Sequence, residues 1–323
     1  MELTSIWTIL YLVAALVVIL GFIAGNAMAL VWLERKVAGF VQRRPGPNEA
    51  GPMGILQTAL DSAKLITKQI VRPTHSDPII FWLAPILAFF PVALLFMPIP
   101  FSPFFTAYSP DLGLLLILAF AGINVLSILL AGWSSNNKYG LYGAARGVSQ
   151  SVAYEIPLLL AVLAIALQHG SLNLSEIVAE QGTMPWSWNF ATQPLAFLIY
   201  FISMFGETNR APFDLPEAES ELTGGFHTEY SGMGFALFFL AEYANMVLVC
   251  CICTALFLGG WHGPFVDGFW WFLAKTYGLM LIIMWVRWTY PRTRFDMLLN
   301  LNWKWLLPLG ALNLLATAFI MKL

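Results

Sequence analysis

Seven of the eighteen acidic residues in this chain fall between Glu207 and Glu242, in a sequence otherwise built for lipid. The run GETNRAPFDLPEAESELTGGFHTEY, residues 206–230, holds Glu207, Asp214, Glu217, Glu219, Glu221 and Glu229, with Arg210 as the obvious counter-charge. Glu242 follows inside the next apolar stretch. A carboxylate at the centre of an isolated membrane helix costs roughly 2.5–3.5 kcal/mol, so a cluster kept near lipid points to function, most directly to the handling of protons. If residues 217–221 are helical, Glu217 and Glu221 share a face and Glu219 points away. If they are extended, all three share one side. Either way, like charges in a low dielectric raise one another's pKa and titrate as a coupled set. The bland alternative is a solvated acidic loop. Against it, Pro212, Phe213, Leu215, Pro216, Leu222 and Phe226 punctuate the run with apolar side chains that call for packing.

Three further groups carry suitable chemistry. Glu34-Arg35-Lys36 closes the first apolar stretch; its bases would serve as headgroup anchors, but an anchor needs no acid. Glu155 sits in SQSVAYEIPLLL with no Lys or Arg within a helical turn, so any partner must come from another helix. Arg287 precedes Pro291-Arg292-Thr293-Arg294-Phe295-Asp296. It could snorkel to the headgroups or supply the counter-charge that buried acids need.

The elements that must position these groups are membrane helices. The chain is 59% hydrophobic and 11% charged, with a mean hydropathy of +0.73, against about 25% charged in soluble domains. That is an all-α, multi-pass integral membrane protein in a single membrane domain spanning residues 1–323. Eight spans are predicted, at 6–33, 79–101, 112–133, 146–168, 193–209, 235–258, 269–289 and 303–321. A bilayer core of about 30 Å takes about 20 helical residues. The second span carries Pro85, Pro91, Pro98 and Pro100 and should kink. The fifth has only thirteen mostly apolar residues and must tilt or run on through Glu207 and Asn209. The N-terminus lacks a basic region, so its apolar stretch reads as a retained helix.

Fourteen of the sixteen Lys and Arg residues fall in the odd-numbered connections. The positive-inside rule then sets those connections, including the acidic stretch 207–233, on the cytoplasmic side and both termini outside. The first connection also holds a helix that does not cross, over 53–70. Leu56, Ala59, Leu60, Ala63, Ile66 and Ile70 recur on one face and Gln57, Asp61, Lys64 and Lys68 on the other, the pattern of an interfacial amphipathic helix. It is either a plain anchor or a flap over a lipid-accessible opening.

Net charge is −2 and no basic, aromatic-interleaved run suggests nucleic acid. Cys250 and Cys253 make a lone C-x-x-C without a second pair, and His75, His169, His227 and His262 are scattered, so no metal site is expected. No phosphate loop, nucleophile elbow or dinucleotide fingerprint is present. Redox work would fall to a partner, leaving this chain to bind something apolar and manage protons.

These residues resemble a known family. LERK (33–36), QRRPGPN (42–48), GILQTALDSAK (54–64), AGWSSNNKY (131–139), RAPFDLPEAESEL (210–222), HTEYSGM (227–233) and YPRTRFD (290–296) are similar to subunit 1 of respiratory complex I, the proton-pumping NADH:quinone oxidoreductase. The likeness runs end to end; one departure is Ser62, where the family usually has a small apolar residue. It implies eight spans plus the interfacial helix, and a bacterial inner-membrane subunit at the joint between peripheral and membrane arms. Quinone would be the substrate, with no bound redox cofactor here; FMN and iron–sulfur clusters would belong to partner subunits. Glu34, Arg35, Phe226 and Arg287 would line the quinone chamber. Glu207, Asp214, Glu217, Glu219, Glu221, Glu229 and Glu242, with Glu155 further in, would carry the acidic path toward antiporter-like pumping subunits. Small membrane subunits and peripheral iron–sulfur and quinone-site subunits would be the partners. Two rivals are a ferredoxin-fed or hydrogenase relative, disfavoured by HTEYSGM and the first connection, and a stand-alone proton-coupled transporter. The latter calls for inverted repeats, and the acids have no mirror in the first half.

Overall fold

The computed structural model describes residues 6–216, 219–264 and 267–322. They are helical, with no named strand among the described residues; a single bridge links Ser102 and Phe105. In chain order the helices are α1 (Ile6–Val41), α2 (Leu56–Thr67), α3 (Pro78–Leu94), α4 (Gly113–Ser134), α5 (Lys138–His169), α6 (Leu174–Glu180), α7 (Asn189–Thr192), α8 (Pro194–Glu207), α9 (Glu219–Leu222), α10 (Gly232–Phe257), α11 (Phe269–Thr289), α12 (Phe295–Leu301) and α13 (Leu307–Ile320). A π turn over Asn302–Leu306 runs α12 into α13 as one rod.

Among the described residues, six helices are long and apolar enough to cross a membrane: α1, α4, α5, α10, α11 and the α12–α13 rod. Two shorter apolar helices, α3 and α8, join them. Each has a physical reason for its length. In α3, Pro91 cannot donate to the carbonyl four residues back, and the helix ends at Leu94. Of the two routes open to the short fifth span, tilting or running on through Glu207 and Asn209, α8 runs on as far as Glu207 and stops before Asn209. Thr208 Oγ1 folds back onto the carbonyls of Met204 (3.0 Å) and Phe205 (3.3 Å). Asn209 takes a φ of +48°, so Glu207 is the last helical residue.

The bundle is organised around α10. Every residue from Tyr243 to Phe257 is buried, as expected of a helix that is apolar all round. Cys250, Cys251 and Cys253 lie here as buried free thiols. By contrast, α1 and α13 expose large apolar side chains such as Val17, Val18, Leu315 and Phe319, a surface suited to lipid or neighbouring helices.

The amphipathic helix is present as α2, shorter than the span read from sequence. Its apolar face (Leu56, Leu60, Ile66) is exposed. From its polar face Asp61 reaches α1, where its Oδ2 accepts from Arg35 Nη1 at 2.7 Å, while Lys64 and Lys68 are exposed. Ser62, the departure from the family pattern, donates to Thr58 O at 2.9 Å and stays within its own helix.

Candidate functional site

Glu34 is the centre of the site. Because α1 continues to Val41, this residue lies inside the helix, and it is 6% exposed. Tyr243 on α10 donates its hydroxyl to Glu34 Oε2 at 2.5 Å, and Arg287 on α11 donates Nη1 to Oε1. Arg210, buried just past α8, brings Nη1 to 3.6 Å from Glu34 Oε1 and Nη2 to 3.9 Å from Glu242 Oε2. Its guanidinium also lies 4.6 Å from the Tyr243 ring centroid, a cation–π contact. Two acids and two arginines from four segments thus interlock around one phenol. Buried charges persist only in such an arrangement, because removing one member costs about 3–5 kcal/mol.

This cluster walls a cavity of about 290 Å³ that also meets Arg35, Arg44, His227 and Trp288. The volume lies just under the range of small-ligand sites, about 300–1,000 Å³. Two smaller cavities continue inward. The first, about 20 Å³, shares Phe238 and Glu242 with the chamber and adds Glu207, Asn124 and Asn245. That is room for about one water. The second, about 100 Å³, shares Asn124, Glu207 and Asn245 and reaches Glu155. Glu155 Oε1 is buried and meets no hydrogen-bond partner among the described residues. Two residues on, Pro157 interrupts the hydrogen-bond ladder of α5. The row Glu34, Glu242, Glu207, Glu155 therefore borders three adjoining spaces.

Local packing sets the position of Glu207. Gln150 of α5, fully buried, points Nε2 at Phe213 O (2.7 Å), Gly206 O (3.0 Å) and Asn209 Oδ1 (3.0 Å). Asn245 Nδ2 donates to the Glu207 carbonyl at 3.2 Å. Gly206 is required by contact: a Cβ there would stand 2.2 Å from the Tyr154 ring.

The remaining acids form a separate outer rim. Asp214 pairs with Arg292 at 3.1 Å, Glu221 with Arg146 at 2.5 Å, and Glu229 accepts from Asn137 Nδ2 at 2.6 Å. Here the structure differs from the expected mutual rise in pKa. The hydrogen bond and charge of Arg146 hold the Glu221 carboxyl below its usual range. Glu219 opens the short helix α9, and Glu217 lies outside the described residues. Nearby, Tyr230 stacks on Phe81 at 4.2 Å; burial pushes its hydroxyl up to about 12, against a lowering contribution from the Ser134 hydrogen bond.

Of the four chamber residues expected from the resemblance, Glu34, Arg35 and Arg287 line the cavity. Phe226 lies one step inward, walling the small junction with Glu207 and Glu242. The sequence reading missed Tyr243, Asn245 and Gln150. Asn245 carried a usable signal, a polar residue in an otherwise apolar span.

A bundle of long apolar helices with a buried charge network opening on a cavity defines a multi-pass membrane protein with titratable groups around an internal space. The NADH dehydrogenase family profile matches residues 13–318, and the chain belongs to that family. It is 52% identical to the H-type subunit of the NADH-quinone oxidoreductase of Desulfotalea psychrophila (strain LSv54 / DSM 12343), covering 98% of both chains. It is 47% identical to the same subunit from Dehalococcoides mccartyi (strain CBDB1), covering 96% of this chain and 87% of the relative. The corresponding protein of Carboxydothermus hydrogenoformans is 45% identical, over 94% and 87%.

Proposed function

We propose that this chain is a membrane subunit of a proton-translocating NADH:quinone oxidoreductase, supplying part of the quinone chamber and the first stretch of a proton path. The observation that carries the reading is the succession of three neighbouring cavities, sharing wall residues, from Glu34 to Glu155. Family membership supports the oxidoreductase, and it argues against a stand-alone transporter. In this reading α3 and α8 complete eight crossings. The basic loops face the cytoplasm of a bacterial inner membrane, and both termini lie outside.

The chemistry assigned to this chain's residues is electrostatic. A quinone headgroup takes two electrons from a redox centre in a partner subunit and two protons to become the quinol. Each electron brings negative charge beside Arg35 and Arg287. An arginine drawn toward that charge loosens its hold on Glu34, whose carboxylate then needs another positive neighbour or a proton. Arg210 touches both Glu34 and Glu242, so the change is felt on the second carboxylate and passed to Glu207 and Glu155. The rim acids, already paired with Arg146, Arg292 and Asn137, hold the loop over this row.

Glu207→Gln is the test. The expected result is quinone reduction within about threefold of the unaltered complex, with fewer protons moved per NADH in sealed vesicles. Full proton stoichiometry with Gln at this position would remove Glu207 from the path.

A further inference from the structure

At the end of the bundle away from the chamber, α10 stops, and its last carbonyls need donors that lipid cannot supply. Three other segments provide them. Gln181, just past α6, donates Nε2 to Ala255 O at 2.9 Å and accepts from Gly259 N at 2.9 Å. Asn189, opening α7, donates Nδ2 to Leu256 O at 2.7 Å. Lys275, within α11, directs Nζ at the carbonyls of Leu258 (2.5 Å), Gly260 (3.1 Å) and His262 (2.6 Å). These contacts use all three ammonium donors. The same ammonium sits 3.9 Å from the Trp188 ring centroid. The backbone wraps it because Gly259 and Gly260 hold φ of +71° and +47°, and a Cβ at either would strike Trp188 or Val178.

Capping alone does not call for a charge, since neutral Gln181 and Asn189 already satisfy neighbouring carbonyls. The placement suggests what the charge adds. The cavity shared by Glu155 and Glu207 is walled by α10 as far as Ile252, and the cap begins at Ala255. Only Cys253 and Thr254, both fully buried, lie between.

We propose that Lys275, with Gln181 and Asn189, seals the Glu155–Glu207 cavity against protons from the aqueous phase beyond the far end of α10. The side chains close the backbone against water, and the ammonium, its charge supported by the Asp267 carboxylate, repels a proton entering from that side, as cations do in other proton-excluding pores. The inference rests on the reading that this cavity belongs to the proton path and that the far end faces outward.

The test uses the whole complex in liposomes without NADH, with an imposed pH step followed by an entrapped pH dye. Lys275→Met keeps the aliphatic stem but removes donors and charge. The expected result is passive proton entry faster by roughly tenfold, with detergent-solubilised NADH:quinone turnover retained. Lys275→Arg should stay tight. Lys275→Gln, which keeps donors without charge, should leak, and it decides the matter if Lys275→Met does not assemble. Tight liposomes with an assembled Met or Gln variant overturn the seal, whatever Glu207→Gln does to pumping.

Discussion

Glu34 has no single counter-charge. It takes a phenol from α10, a guanidinium from α11 and a second guanidinium from the loop after α8. The phenol is the uncharged member, and so the one whose removal changes hydrogen bonding without changing net charge. Tyr243→Phe leaves Glu34 Oε2 without that donor, a loss of about 1–3 kcal/mol for a buried group. Quinone reduction should fall about five- to tenfold while the subunit's abundance in membranes is unchanged. Turnover equal to that of the unaltered complex would mean the phenol is packing only. On the rim, Glu221 makes a pH prediction. Its carboxyl is held below the usual range in the folded protein by Arg146, so the stabilisation is complete above the ordinary glutamate pKa. It is lost as pH falls through the lowered folded value. The pair is largely exposed, which limits it to about 1 kcal/mol or less. Hydrogen exchange of the 219–230 amides should be faster in Glu221→Gln at neutral pH and indistinguishable from the unaltered protein at acid pH. A difference persisting in acid would rule out the ion pair as its source.

Among the helices, α8 sets the position of Glu207 because it ends at that residue. Its stop at Glu207 depends on the Thr208 turn, the left-handed Asn209 and the Gln150 amide that gathers three acceptors. The close approach of α8 to α5 depends on Gly206. Gly206→Ala would push its new methyl into the Tyr154 ring, and overpacking of this kind costs about 1–3 kcal/mol. Less assembled complex is expected on native gels, with recovery when Tyr154→Leu is added. Undiminished assembly of Gly206→Ala alone would show that α8 can shift without cost. The opposite end of the same architecture relies on side-chain capping of α10, where Gln181, Asn189 and Lys275 supply the donors.

Across the whole molecule, helices from distant parts of the chain meet to make a row of spaces bordered by carboxylates, and the smallest of them is the junction walled by Asn124, Glu207 and Asn245. Asn245→Leu fills that junction and withdraws the donor to the Glu207 carbonyl. Proton movement should be lost in sealed vesicles while quinone reduction in detergent continues, and pumping that survives a filled junction would route protons elsewhere. Much of this was legible in the sequence. Composition determined the membrane class, three- and four-residue periodicity determined the amphipathic helix, and the cost of carboxylates near lipid marked Glu207, Glu242 and Glu155 before any fold was known. Only tertiary structure divided the acids into an inner row and an outer rim, because sequence adjacency does not say which carboxylate meets which arginine across 75 residues or more. Tyr243, Gln150 and Lys275 were illegible for the same reason. Each acts through partners on other segments of the chain, and a side chain's role in a bundle is set by what packs against it, which the local sequence does not contain.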